Sequence, residues 1–208
     1  MRLINYNNEY ENGLKLPEEA IDKAKAAYDA IETRLNKKYG KIAEIPRNRV
    51  QSRLAVIMHT LGDLRGKTIL DIGCGAKNSW DYNGSELARQ ERFYDPWLCR
   101  VTRELGAMVN GIDGGSSPDE DYIHIKTNML QFEEALKKFK ENSIDLACAW
   151  SFFDSPSLID GKLMFTRVVK SLEKKVKPEG FFIFESTGTG LLDKKVWEKY
   201  SINRGERK

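Results

Sequence analysis

Cysteine and histidine are scarce in this chain. Three cysteines (Cys74, Cys99, Cys148) and two histidines (His59, His124) are scattered through 208 residues, with no CxxC and no HxxxH spacing. So sparse and odd a cysteine count suits a reducing compartment and argues against a disulfide framework. It also argues against a Cys/His zinc site, and no metal is expected. Long apolar runs are lacking too. The longest, Leu54–Met58, Leu146–Trp150 and Phe181–Phe184, fall far short of the roughly 20 residues that a membrane helix needs. Residues Met1–Asn8 hold no apolar stretch resembling a signal peptide. The expectation is a chain without membrane contact and with a cytoplasmic location. A net charge of only +3 gives no reason to invoke nucleic acid, and there is no repeat or low-complexity segment.

What is present is an ordinary globular composition, 40% hydrophobic and 31% charged. A chain of this length has room for one compact domain with a short appendage, and buries roughly 70% of its unfolded surface on folding. Its charge is uneven: residues 1–66 and 162–208 are net basic, and 67–161 are net acidic. The basic end could steer an anionic substrate, or it could be a solvated lysine-bearing face.

Helical spacing comes first along the chain. Ile21, Ala24, Tyr28, Ile31, Leu35 and Tyr39 recur at threes and fours, after Pro17 and before Gly40, and predict a helix over Pro17–Tyr39. Val50, Leu54, Ile57, Met58 and Leu61 predict a second over Arg47–Leu61. From there strands and helices alternate. Thr68–Ile72, Ala107–Ile112, Tyr122–Lys126, Ile144–Trp150 and Phe181–Glu185 read as strands one to five. Between them lie a helix opened by Asp95 as N-cap and Pro96, with Trp97, Leu98, Val101 and Leu105 inward, and further helices over Phe132–Lys140 and Lys162–Val176. Lys177-Pro-Glu-Gly180 reads as a turn, and one more helix fits near Leu191–Tyr200. This alternation predicts an α/β sheet built from right-handed crossovers.

The chemistry concentrates in Thr68-Ile-Leu-Asp-Ile-Gly-Cys-Gly-Ala76, where a carboxylate closes a strand and two glycines turn the chain. Glycine is needed where the backbone takes positive φ and must approach a ligand without an intervening Cβ. In open α/β sheets ligands bind beyond the carboxyl ends of the strands, where this turn falls. A second acid, Asp113, closes the next strand in Gly106-Ala-Met-Val-Asn-Gly-Ile-Asp113. There it can accept hydrogen bonds from both hydroxyls of a ribose, each worth about 1.5–3 kcal/mol to a charged group.

Asp71-Ile-Gly-Cys-Gly75, Asp113 and Lys177-Pro-Glu-Gly180 together resemble the class I S-adenosylmethionine-dependent methyltransferases over roughly residues 66–185. The resemblance implies a Rossmann-like open, mostly parallel sheet of order 3-2-1-4-5, with helices on both faces and two N-terminal helices before it. It divides the chain into a helical extension, residues 1–65, and a cofactor-binding domain, residues 66–208. It implies S-adenosylmethionine as cofactor. Gly73, Cys74 and Gly75 would run under its methionine part, Asp71 would help hold the amino group, and Asp113 would bind the ribose. Asn128 and Met129 would meet the adenine, and Trp150 would border the cofactor. Ser151, Phe152, Asp154 and Tyr82 would face the methyl acceptor. No catalytic residue is identified, because in-line methyl transfer needs alignment first and a base only when the acceptor must lose a proton; Asp154, Tyr82 and Tyr94 are candidates for that base.

Two departures from the family pattern shape the expectation. Asp113 stands 38 residues beyond Gly75, where a typical unit places its acid roughly 20 on. Residues 76–95 therefore form an insertion, with a short helix near Ser85–Arg92, that should overhang the cofactor as a lid or recognition element. The second departure is the tail: 23 residues after Glu185 hardly hold the two further antiparallel strands usual in the family, so the C-terminal hairpin is expected to be truncated. A small-molecule acceptor is favoured, with a protein or RNA acceptor and a homo-oligomer left open. Two alternatives also stay open: a non-catalytic cofactor-binding partner subunit, and an NAD-binding oxidoreductase. GxGxxG fails at Asn78, and Gly62-Asp-Leu-Arg-Gly-Lys-Thr68 is one residue short of a P-loop and leads into a strand.

Overall fold

The structure is a computed structural model that describes residues 1–6, 16–79, 84–128, 131–150, 152–153 and 161–185. In chain order the elements are β1 (Arg2–Asn5), α1 (Glu18–Tyr39), α2 (Glu44–Leu61), β2 (Thr68–Ile72), α3 (Glu86–Glu91) and α4 (Trp97–Glu104). They continue with β3 (Met108–Asp113), β4 (Ile123–Lys126), α5 (Phe132–Leu136), β5 (Ile144–Ala149), α6 (Gly161–Leu172) and β6 (Val176–Phe184). The chain falls into two compact units, Leu16–Met129 and Met1–Lys15 with Leu130–Lys208. It is an α/β protein whose strand ladders are parallel. No helix among the described residues is long and apolar enough to cross a membrane.

In the Leu16–Met129 unit the strands run β2-β3-β4, which is the expected 1-2-3 neighbourhood. Asp71 lies level with Gly111, and Ile72 with Ile112. Helix α1 buries Ala24, Tyr28, Ile31 and Leu35, a stripe at spacings of four, three and four that packs on α2. Ile21, expected on that stripe, is exposed. Helix α2 starts three residues earlier than its apolar spacing suggests, with Pro46 in the first turn, where its missing N–H costs no bond. Both helices also pack on α4.

Asp95 does not cap α4, contrary to expectation. The N-cap position falls on Pro96, and the Asp95 carboxylate forms ion pairs with Arg92 and Arg100. Two guanidinium groups outcompete the helix N–H groups for this acid because hydrogen bonds between charged partners are the stronger ones.

In the other unit the order is β1-β6-β5. Strand β1 was not expected, and it corrects the predicted strand order: the second edge of β6 is occupied by a parallel N-terminal strand, with Leu3 opposite Phe182 and Ile4 opposite Ile183. Leu3 and Ile4 are buried, but two apolar residues in a four-residue strand give no periodicity to read. Lys177–Gly180 is likewise not a turn between elements. It lies within β6 as an irregularity, since Ile144 pairs with Val176 and Leu146 with Phe181, so five steps on one strand match two on the other. The expected C-terminal helix and the truncated hairpin lie outside the described residues. The core of this unit is aromatic: the rings of Phe153, Phe165, Phe182 and Phe184 have centroids 4.8–6.5 Å apart. All four are buried.

Candidate functional site

The continuous apolar run of β2 buries the strand on both faces and delivers Asp71, 3% exposed, to its carboxyl end. The chain then turns through Gly73 (φ 69°) and Gly75 (φ 84°), a backbone that L side chains rarely adopt. Strand β3 ends alongside, and the N–H groups of Gly73 and Cys74 donate to the carbonyl of Ile112 at 2.8 and 3.3 Å. The next acid joins the two strand ends. Asp113 Oδ2 accepts from Gly75 N–H at 3.0 Å, and Oδ1 accepts from Gly115 N–H at 2.8 Å. A carboxylate offers about four acceptor sites, so half-buried Asp113 has capacity for two further donors.

Beneath this turn lies a pair of thiols. Gly111 has no Cβ, and the Sγ atoms of Cys74 and Cys99 lie 2.7 and 3.3 Å from where one would stand. Cys99 Sγ donates to Asp71 Oδ2 at 3.7 Å, and burial pushes the Cys99 thiol well above its ordinary range. His124 closes the arrangement, with Nδ1 3.9 Å from Cys74 Sγ and Nε2 3.2 Å from the carbonyl oxygen of Gly115. An imidazole protonated on Nε2 satisfies that carbonyl and leaves Nδ1 facing the thiol. Burial likewise raises Tyr122, whose ring packs on Gly111.

The expected insertion returns onto this turn. Ser85 caps α3 by accepting from Ala88 N–H at 3.1 Å, as its sequence position suggests. Helix α3 ends at Arg92 in the left-handed region, and the following Tyr94 carbonyl occupies the place a Gly75 Cβ would need. The close approach that requires glycine at position 75 is therefore to the chain's own backbone. Trp80 and Tyr82 lie outside the described residues.

Asp71, Gly73, Cys74, Gly75 and Asp113 thus come together in one unit. Asn128 follows β4 in the same unit and is exposed, after Thr127 N–H has bonded the Asp113 carbonyl at 2.9 Å. Trp150 and Phe152 belong to the other unit, where both are buried, Trp150 edge-on to Tyr6 at 5.5 Å and Phe152 edge-on to Phe153 at 5.0 Å. Met129, Ser151 and Asp154 lie outside the described residues.

Sequence reasoning missed the group that organises these loops. Arg100 of α4 is 2% exposed; it pairs with Asp95 at 2.8 Å and with Glu120 at 2.6 Å, and stacks over Tyr39 and Trp97 at 4.4 and 4.7 Å. These partners hold its guanidinium charged at any accessible pH, because their ion pairs outweigh the cost of burial. A signal existed. Trp97, Arg100, Val101 and Glu104 share one helix face by spacing, but nothing local names the carboxylate 20 residues on. Glu120 and Asp121 sit in the nine-residue connection from β3 to β4, and Asp121 accepts from Lys38 Nζ at 2.6 Å and from Tyr39 Oη at 2.9 Å. Burial acts to raise Asp121, and those two bonds outweigh it and hold its carboxyl below the usual range.

No family model and no curated protein matches this chain. It is similar in structure to two forms of Haemonchus contortus phosphoethanolamine N-methyltransferase 2. One is in complex with phosphomonomethylethanolamine and S-adenosylhomocysteine (20% identity, TM-score 0.39, 86% of this chain and 36% of that one). The other is in complex with S-adenosyl-L-methionine (18% identity, TM-score 0.39, 97% and 42%). It is also similar to S. cerevisiae Dbp5 bound to RNA and ADP BeF3 (10% identity, TM-score 0.36, 94% and 48%). The chain spans less than half the length of each.

Proposed function

We propose that this chain is an S-adenosylmethionine-dependent methyltransferase acting on an unidentified acceptor, with a small molecule favoured. The observation that carries the reading is the hydrogen bond from Gly75 N–H to Asp113 Oδ2, which joins a positive-φ glycine turn to an acid at the carboxyl ends of two neighbouring parallel strands. The donor set fits the cofactor. Asp113 keeps acceptor sites for two ribose hydroxyls, and Asp71 supplies a buried carboxylate below the turn for an ammonium group. Bound there, the cofactor would supply an electrophilic methyl on a sulfonium, and the protein's part is alignment in a water-poor crevice, worth up to about 7–11 kcal/mol. In this reading Gly73, Cys74 and Gly75 run under the methionine part, and Asn128 and Met129 meet the adenine.

Thermal melting tests it. At a hundredfold excess over Kd, S-adenosylhomocysteine should stabilise the chain by about 2.7 kcal/mol, which is roughly 5–10 °C for this size. Asp113→Asn, which keeps the shape and removes the charge, should lose most of that shift. A shift with NAD and none with S-adenosylhomocysteine would overturn the assignment in favour of an oxidoreductase. An unchanged shift in Asp113→Asn would remove Asp113 from the ribose role.

A further inference from the structure

A cleft of about 1050 Å³ opens in the Leu16–Met129 unit, lined by the cations Lys38, Lys77, Arg89, Arg92, Arg100 and Lys126. Among the described residues Asp95, Asp119 and Glu120 are the carboxylates on its wall, three fewer than the cations. This is not a run of surface lysines. The six cations come from α1, the segment after the glycine turn, α3 and its C-cap, α4 and the end of β4, and only the fold brings them together.

The cations divide by what they already do. Arg100 is committed to Asp95 and Glu120, and Arg92 to Asp95 and to the Tyr39 carbonyl at the C-terminus of α1. These two build the wall. Lys38 holds Asp121 at 2.6 Å. Lys77, Arg89 and Lys126 line the cleft and are exposed, and Arg89 too already has a partner. The Lys77–Asp119 pair, 3.2 Å long with side chains 54% and 74% exposed, is of a kind worth about 0–1 kcal/mol, so a ligand can displace it. At Gly114 no heavy atom lies within 4 Å of where a side chain would begin, which leaves backbone bare on the lining.

We infer that this cleft binds a small organic phosphomonoester. With Lys38 already paired to Asp121 the excess is two, which a dianion balances, where a single carboxylate leaves one positive charge uncompensated. The volume is at the top of the roughly 300–1,000 Å³ that holds drug-sized ligands, so the phosphate comes with an organic body. A continuous nucleic-acid backbone is disfavoured by three wall carboxylates and by the net acidic character of residues 67–161. Neither Asp71, Gly73, Gly75 nor Asp113 lines the cleft, though Gly115, which does, donates to Asp113 Oδ1, so the cleft adjoins the proposed cofactor residues.

The test is a titration of the full ¹⁵N-labelled chain with glycerol 3-phosphate at fixed ionic strength, read from amide shifts. Shifts of Lys77, Gly114 and Gly115 should saturate, at a concentration at least tenfold lower than for acetate. Arg89→Ala and Lys126→Ala, both at exposed positions, should each weaken binding about three- to tenfold. Lys25→Ala, exposed on α1 and outside the cleft, should change nothing. Shifts that never saturate, an equal response to acetate, or indifference to both cleft variants would overturn the inference. Tighter binding of a twelve-nucleotide single-stranded DNA through the same residues would overturn it in favour of a nucleic-acid surface.

Discussion

In the unit built around β6, four phenylalanines meet ring to ring, while in the unit built around β2 a guanidinium lies just as deep between two carboxylates and two aromatic faces. The first interior is held by area removed from water, which is non-directional and tolerant of small displacements. The second is held by partners that must stay in place, since a buried charge that loses its counter-ion costs far more than the pair contributes. What the contrast teaches is where each solution is used. The aromatic cluster fills a core. The ionic one fixes loops, because Asp95 ends the insertion and Glu120 lies in the connection that follows Asp113. Loops carry little apolar surface of their own, and a buried arginine can hold several of them at once.

The sharpest way to break the comparison is to empty each interior. Phe182→Ala should cost about 3–5 kcal/mol in urea unfolding, and a second truncation at Phe165 should deepen the loss, because the cavity only grows. Arg100→Met should cost a similar 3–5 kcal/mol, but for another reason: Glu120 is left buried and charged. Adding Glu120→Leu should therefore restore part of the stability, an outcome impossible for the phenylalanines. If the double variant is less stable than Arg100→Met alone, the ionic account is wrong.

The smallest effect belongs to the ion pair of Glu133 with Arg167 in the aromatic unit, 2.7 Å long with both side chains more than a third exposed. The Arg167 hydrogen bond holds the Glu133 carboxyl below its ordinary value of 4.5. Its contribution is thus present above that value and is lost as pH falls through the lower, folded one. Glu133→Gln should flatten stability against pH only on the acid side, by less than about 1 kcal/mol. A change at neutral pH larger than that would show that the residue packs rather than pairs.

Legibility in the sequence followed the range of each interaction. The strands β2, β3 and β5 were readable because buried parallel strands are continuous apolar runs, and α1 because its stripe repeats every three or four residues. The glycine turn and Ser85 at the head of α3 were readable because φ preference and capping act within three residues. Strand β1 was not, since its ladder with β6 joins positions some 180 residues apart and uses only two buried apolar side chains. Asp95 misled for a related reason. Its sequence neighbours argue for a cap, and Arg100, one turn on, takes the carboxylate instead.

By itself, then, the sequence determined β2, β3, β5 and α1 and that an acid and two glycines close β2, because those outcomes depend on neighbours a turn or less away. Tertiary structure alone decided that Asp113 reaches Gly75, that a carbonyl of the insertion fills the space over that glycine, and that six cations share one cleft. The physical reason is that charges and hydrogen-bond donors interact through space over a few ångströms, and the chain brings residues 20 to 90 positions apart to that distance only once the strands have paired.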